Sequence, residues 1–138
     1  MHIEHRIVIA ASPATVFRIY QDVQNWHSWD PDTKQAILYG PFQVGSRGRI
    51  TPPKGMSVPM LLTQVVPDSS FTVESKIPMF RILFEHELVP VGDATEVMHR
   101  VSLSGLLSYV VGPMLRKQLN AGLPITLSRL KTLAERAV

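Results

Sequence analysis

The chain has 138 residues, with 14 Lys or Arg against 11 Asp or Glu, a formal charge of +3 and a hydrophobic fraction of 45%. That length and balance predict one soluble domain, residues 1–138, able to bury its own core. The absence of cysteine excludes disulfides, thiolate metal sites and cysteine nucleophiles. No basic stripe interleaved with aromatics occurs, so nucleic acid is not an expected partner.

Ile3, His5, Ile7 and Ile9 alternate with His2, Glu4, Arg6 and Val8, the period of a half-buried first strand. Ser12-Pro13 then supplies an N-cap and a proline at the first helical position, opening a short helix that buries Val16, Phe17 and Tyr20. Asp22 is expected to cap a second short helix carrying Trp26, and the chain leaves it through Trp29-Asp30-Pro31. Gly40-Pro41, Gly45, Pro52-Pro53-Lys54-Gly55, Pro67-Asp68-Ser69-Ser70, Pro78 and Pro90-Val91-Gly92-Asp93 then punctuate strands near 35–39, 47–51, 58–66, 70–76, 81–89 and 95–104. With the first, these make an antiparallel series of seven.

Gly112-Pro113 predicts the start of a long last helix, about 113–136 and about 36 Å long. Its apolar stripe is Leu115, Leu119, Leu123, Thr126, Leu130, Leu133 and Ala137. Gly122 and Pro124 inside it predict a kink that follows the curvature of the sheet or, alternatively, admits a ligand. Residues 115–138 hold five Lys or Arg and one Glu, a solvated face for which transient contact with an anionic membrane surface is the alternative. The apolar run from Gly105 to Leu115 falls far short of the roughly 20 residues of a membrane span, and the expected location is cytoplasmic.

Taken together, the strand into Ile9-Ala10-Ala11-Ser12-Pro13, then Val16-Phe17, Asp22, Trp26, Trp29-Asp30-Pro31, Gly40, Gly45, Phe84-Glu85-His86-Glu87-Leu88, Ser104-Gly105 and the long terminal helix resemble the START-like or SRPBCC superfamily. The branch most resembled is that of polyketide cyclases/dehydrases and lipid transport. The resemblance spans essentially the whole chain. It implies an α+β helix-grip fold, with a curved seven-stranded antiparallel sheet around the C-terminal helix and two short helices after the first strand. It also implies binding or carriage of a small hydrophobic molecule, such as a lipid, a polyketide-like compound or another aromatic or isoprenoid molecule, between sheet and helix. Two alternatives stay open: a cyclase or dehydratase using an inward histidine as general acid or base, and a protein- or membrane-interaction module. Fold alone does not choose among them.

Period-two phasing puts three histidines on apolar strand faces: His5 with Ile3 and Ile7, His86 with Phe84 and Leu88, and His99 with Val97 and Val101. If that face is concave, burial makes them neutral near pH 7, as separately bonded interior residues, as ligand-orienting groups, or, for His86 and His99, as candidate catalytic residues. The expected ligand-lining set is His5, Phe84, His86, Val97, His99, Val101, Leu115, Leu119, Leu123 and Thr126. No His-x-His pair or inward carboxylate completes a metal site, and no phosphate-binding or dinucleotide fingerprint occurs, so no metal or cofactor is expected. Arg100 and Glu85 fall on the opposite, solvent-facing phase. Arg47 and Arg49 flank Gly48 as surface charge or, alternatively, as an anion-binding pair at the rim.

Overall fold

The computed structural model describes residues 1–138. In chain order it contains β1 (His2–Ile9), α1 (Pro13–Gln21), a 3-10 helix (Val23–Ser28), β2 (Gln35–Leu38), β3 (Arg47–Thr51), β4 (Val58–Val66), β5 (Ser70–Ile77), β6 (Phe80–Val91), β7 (Ala94–Ser104) and α2 (Ser108–Arg136). The strands form one antiparallel sheet in the order β1-β7-β6-β5-β4-β3-β2, which is the helix-grip arrangement. Each meander turn lays a strand beside its predecessor, and the first strand returns to pair with the last. A register shift between Leu62 and Gln64 bends β4 at the flank of the sheet.

Local chemistry sets the helix ends. Ser12 caps α1 by accepting from the Thr15 amide at 3.2 Å, and the helix buries Val16, Phe17 and Tyr20 as expected. Asp22 does not cap the 3-10 helix through its side chain. Its carboxylate accepts instead from Asn25 Nδ2 at 2.7 Å. The last helix begins at Ser108, five residues before the predicted Pro113. The chain already turns at Gly105, whose φ of +96° suits glycine, and whose carbonyl accepts from the Ser108 amide at 3.1 Å and hydroxyl at 2.6 Å. Pro113 therefore lies within the helix rather than opening it.

The buried stripe of α2 also departs from the expected one. Leu123, Thr126, Leu127, Leu130 and Ala134 are buried, whereas Leu133 and Ala137 are exposed and Leu115 and Leu119 are half-buried. Steps of four, three and four residues after Leu123 carry the stripe through Leu127 and Ala134, so the buried face is rotated about 40° around the helix from the expected one, with the same period. The helix runs unbroken through Pro124. Gly122 faces the loop after the 3-10 helix so closely that a Cβ there would stand 2.5 Å from Asp32 Oδ2.

Two apolar clusters occupy the space under α2. The larger joins Ile9, Phe17, Tyr20, Trp26, Trp29, Phe71, Leu88 and Val97 to Leu127, Leu130 and Ala134. The smaller holds Ile3, Val101, Leu103 and Leu123, with Phe80, Ile82, Phe84, Leu115 and Leu119 only partly covered around it. On the convex face Glu4, Arg100 and Glu85 stand in one cross-strand row. Arg100 Nη2 lies 2.7 Å from Glu4 and its Nη1 3.5 Å from Glu85, as the opposite phase of these residues predicts.

Candidate functional site

Strand register sets the three inward histidines side by side. His5 pairs with His99, His99 with His86, and His86 with Phe71, giving one row across β1, β7, β6 and β5. His86 stacks on the Phe71 ring at 3.9 Å with planes 2° apart, and meets His99 edge-on at 4.6 Å. Tyr20 reaches down from α1 and shares a 2.7 Å hydrogen bond between its hydroxyl and His99 Nε2. At the β1 end, His5 Nε2 lies 3.0 Å from Asn120 Oδ1 on α2.

The bonds fix what His86 offers. A carbonyl only accepts, so the 3.1 Å contact with the Phe71 oxygen places the proton on His86 Nδ1. In the neutral ring Nε2 is then a free acceptor, and it has no partner within the protein. Burial lowers the His86 pKa to about 4, against a smaller opposing effect of the Phe71 carbonyl. Burial, with a contribution from His86, holds His99 well below the ordinary value, and burial pushes the Tyr20 hydroxyl well up. At pH 7 His86, His99 and Tyr20 are therefore uncharged.

A second polar group sits where the post-helical loop crosses α2. Asp30 accepts from Thr33 Oγ1 at 2.8 Å and from the Asp32 amide at 2.9 Å, and it shares the Thr126 hydroxyl proton, at 3.3 Å, with the Gly122 carbonyl at 3.2 Å. Burial raises its pKa, and these donors only partly offset that effect. Beside it, burial and the Asp30 charge raise that of Asp32. Trp29, against Tyr20 and His99, keeps its indole N–H buried without an acceptor.

The ten expected ligand-lining residues separate into two environments. Val97, Leu123 and Thr126 are packed or bonded, Val101 lies closed beneath the smaller cluster, and His99 is covered by Tyr20. Phe84, His86, Leu115 and Leu119 keep accessible surface on the inner side, as does His5 beside Asn120. Phe80 and Ile82, absent from the expected set, are likewise only partly buried and pack against the same small cluster as Phe84, Leu115 and Leu119. A separate surface depression of about 640 Å³ at the start of α2 is bounded by Met1, Leu103, Gly105, Leu106, Tyr109 and Pro113, and none of the half-covered residues lines it. Arg47 and Arg49 are exposed, and Arg49 donates to the Ser57 hydroxyl and carbonyl at 2.8 and 2.9 Å. No group of three or more His, Asp or Glu side chains is placed to hold a metal ion. The ring nitrogens of the row turn to different partners instead.

A curved seven-stranded antiparallel sheet around a long C-terminal helix is the START-like fold, and solved structures repeat the architecture. An aromatase/cyclase from Streptomyces sp. R1128 superposes with a TM-score of 0.81 at 15% identity, over 99% of this chain and 94% of that one. A START superfamily protein from Mycobacterium smegmatis gives 0.80 at 18% identity, over 99% of both. Norcoclaurine synthase from Thalictrum flavum, in complex with dopamine and hydroxybenzaldehyde, gives 0.73 at 14% identity, over 96% and 85%. No curated protein matches the sequence. Residues 1–135 match the family described as polyketide cyclase / dehydrase and lipid transport, and the chain belongs to that family.

Proposed function

We propose that the protein binds a small hydrophobic molecule between the N-terminal half of α2 and the β5–β7 part of the sheet, with the histidine row as its polar floor. One observation carries this reading: Phe80, Ile82 and Phe84 from the sheet and Leu115 and Leu119 from α2 pack against the same small buried cluster of Ile3, Val101, Leu103 and Leu123 but are themselves only partly covered. Apolar surface left accessible in a concave space is the usual mark of a ligand site. His86 Nε2, as a lone acceptor, suits a hydroxyl donor on the ligand. A ligand of about 20 heavy atoms at roughly 0.3 kcal/mol per atom gives a dissociation constant in the tens of micromolar. Native mass spectrometry of protein purified gently from its own cells tests the reading. A stoichiometric adduct of one hydrophobic compound is the expected result, and a spectrum of bare protein under conditions that retain such adducts contradicts it.

Proton-transfer catalysis is the second reading, favoured by the Tyr20–His99 bond beside the free His86 nitrogen. A general base works best with a pKa near the operating pH, and one at about 4 is a weak base at neutrality. That value supports a role in orientation over one in catalysis. Replacing both His86 and His99 by Gln would leave binding weakened and any cyclase or dehydratase activity abolished if the second reading holds.

A further inference from the structure

The first turns of α2 are apolar on both sides, yet only one side is covered. Leu115 and Leu119 pack against the cluster under the helix, and Leu107 and Val111 are half-buried. On the opposite face Leu106 is 69% exposed, Tyr109 83%, Val110 75% and Met114 66%. At about 100° per residue Tyr109, Val110, Pro113 and Met114 fall on one contiguous arc of α2, with Lys117 in its middle one turn further on and Arg116 at its edge, and Leu106 stands in the turn just before the helix. Met79, 57% exposed, adjoins the arc, since its carbonyl accepts from the Leu107 amide at 2.9 Å. A soluble helix normally gives its outer face to polar residues. Here four large apolar side chains stand in water side by side, a patch of the kind that marks an interaction surface.

The charge pattern names the partner. From Val101 to Ala134 the chain contains no Asp or Glu, while Arg116, Lys117, Arg129 and Lys131 all lie on α2. Apolar side chains bordered by Arg116 and Lys117, with no Asp or Glu in the same stretch of chain, complement an anionic lipid headgroup layer over an acyl boundary. A second copy is the poorer fit. A two-fold contact through this arc sets each Arg116 and Lys117 against its own equivalent, with no carboxylate in α2 before Glu135 to neutralise them. We propose that the outer face of α2 from Tyr109 to Lys117, with Leu106 in the turn that precedes it, docks on an anionic membrane surface, with Leu106, Tyr109, Val110 and Met114 entering the interface. The inference stands on a different face from the ligand-binding reading and does not depend on it.

Sedimentation with phosphatidylcholine vesicles, with and without phosphatidylserine, tests the proposal on the full chain. The protein should bind the phosphatidylserine vesicles preferentially, and the binding should weaken as salt rises. Arg116→Glu with Lys117→Glu should reduce it by at least about 30-fold, at roughly fivefold per lost cation. Val110→Asp with Met114→Asp should abolish it while leaving the circular dichroism spectrum unchanged, because both side chains are exposed. Absence of binding to either vesicle overturns the proposal, as does binding that neither pair of substitutions alters. A dimer in light scattering that Val110→Asp dissociates also overturns it, since the face is then occupied by a second copy.

Discussion

From Leu123 to Ala134, α2 closes on the sheet through Leu123, Leu127, Leu130 and Ala134, whereas between Ser108 and Leu119 only Gly112 is buried, although leucines recur in both halves. The histidine row lies beneath the change. On its closed side Val97, Ile9 and Leu88 meet α1 and the C-terminal half of α2, and on its other side Phe84, Ile82 and Phe80 meet Leu115 and Leu119 without being covered. Periodicity alone therefore does not say whether an apolar stripe is core or wall. What decides is whether a third layer, here Tyr20 and Trp29, fills the gap.

Stability measurements break the comparison most directly. Leu130→Ala, at a fully buried site, should cost about 3 to 4 kcal/mol, and Leu115→Ala, half-buried, about 1 or less, both read from urea midpoints. Equal costs would mean that the two halves are packed alike. Acid should then separate the row from the loop. His86 has a folded-state pKa below its unfolded 6.5, so its contribution is complete above pH 6.5 and is lost as pH falls toward about 4. The loss is on the order of 3 kcal/mol, and His86→Gln should flatten the stability profile over that window.

Asp30 has the opposite sign. Its folded-state pKa is raised, so its contribution is complete below about 3.8 and declines as pH rises through the raised value. Thr126→Val removes one donor from this carboxylate and should cost about 2 kcal/mol at neutral pH, with a smaller cost in an Asp30→Asn background. The smallest effect belongs to the convex face. Arg100→Ala should cost about 1 kcal/mol or less, and less still at high salt, since its pairs with Glu4 and Glu85 are partly exposed.

Much of this was legible in the residues, for reasons that particular elements make plain. Alternation and turn punctuation located β3 and β4 at their observed bounds and placed His5, His86 and His99 on one face. The turns that separate β5 from β6 and β6 from β7 also set His86 opposite Phe71 and His99, so the row itself was within reach of register counting. Gly112-Pro113 imitated a helix start, while the working signal was Gly105 followed three residues later by Ser108. Tyr20 was readable as a core residue of α1, but its bond to His99 joins positions 79 residues apart and leaves no local trace. The Asp30–Thr126 contact, across 96 residues, was equally silent.

The central claim is that the half-open side of the row receives an apolar ligand. It is tested most directly by titrating an environment-sensitive apolar fluorophore into the wild-type protein, Leu119→Trp and Val110→Asp. Leu119→Trp fills the space between α2 and Phe84, and Val110→Asp alters only the outer face. The account predicts micromolar-range binding to the wild type, a loss of at least tenfold in Leu119→Trp and no change in Val110→Asp. Binding that survives Leu119→Trp but disappears in Val110→Asp would place the fluorophore on the outer face and contradict the claim.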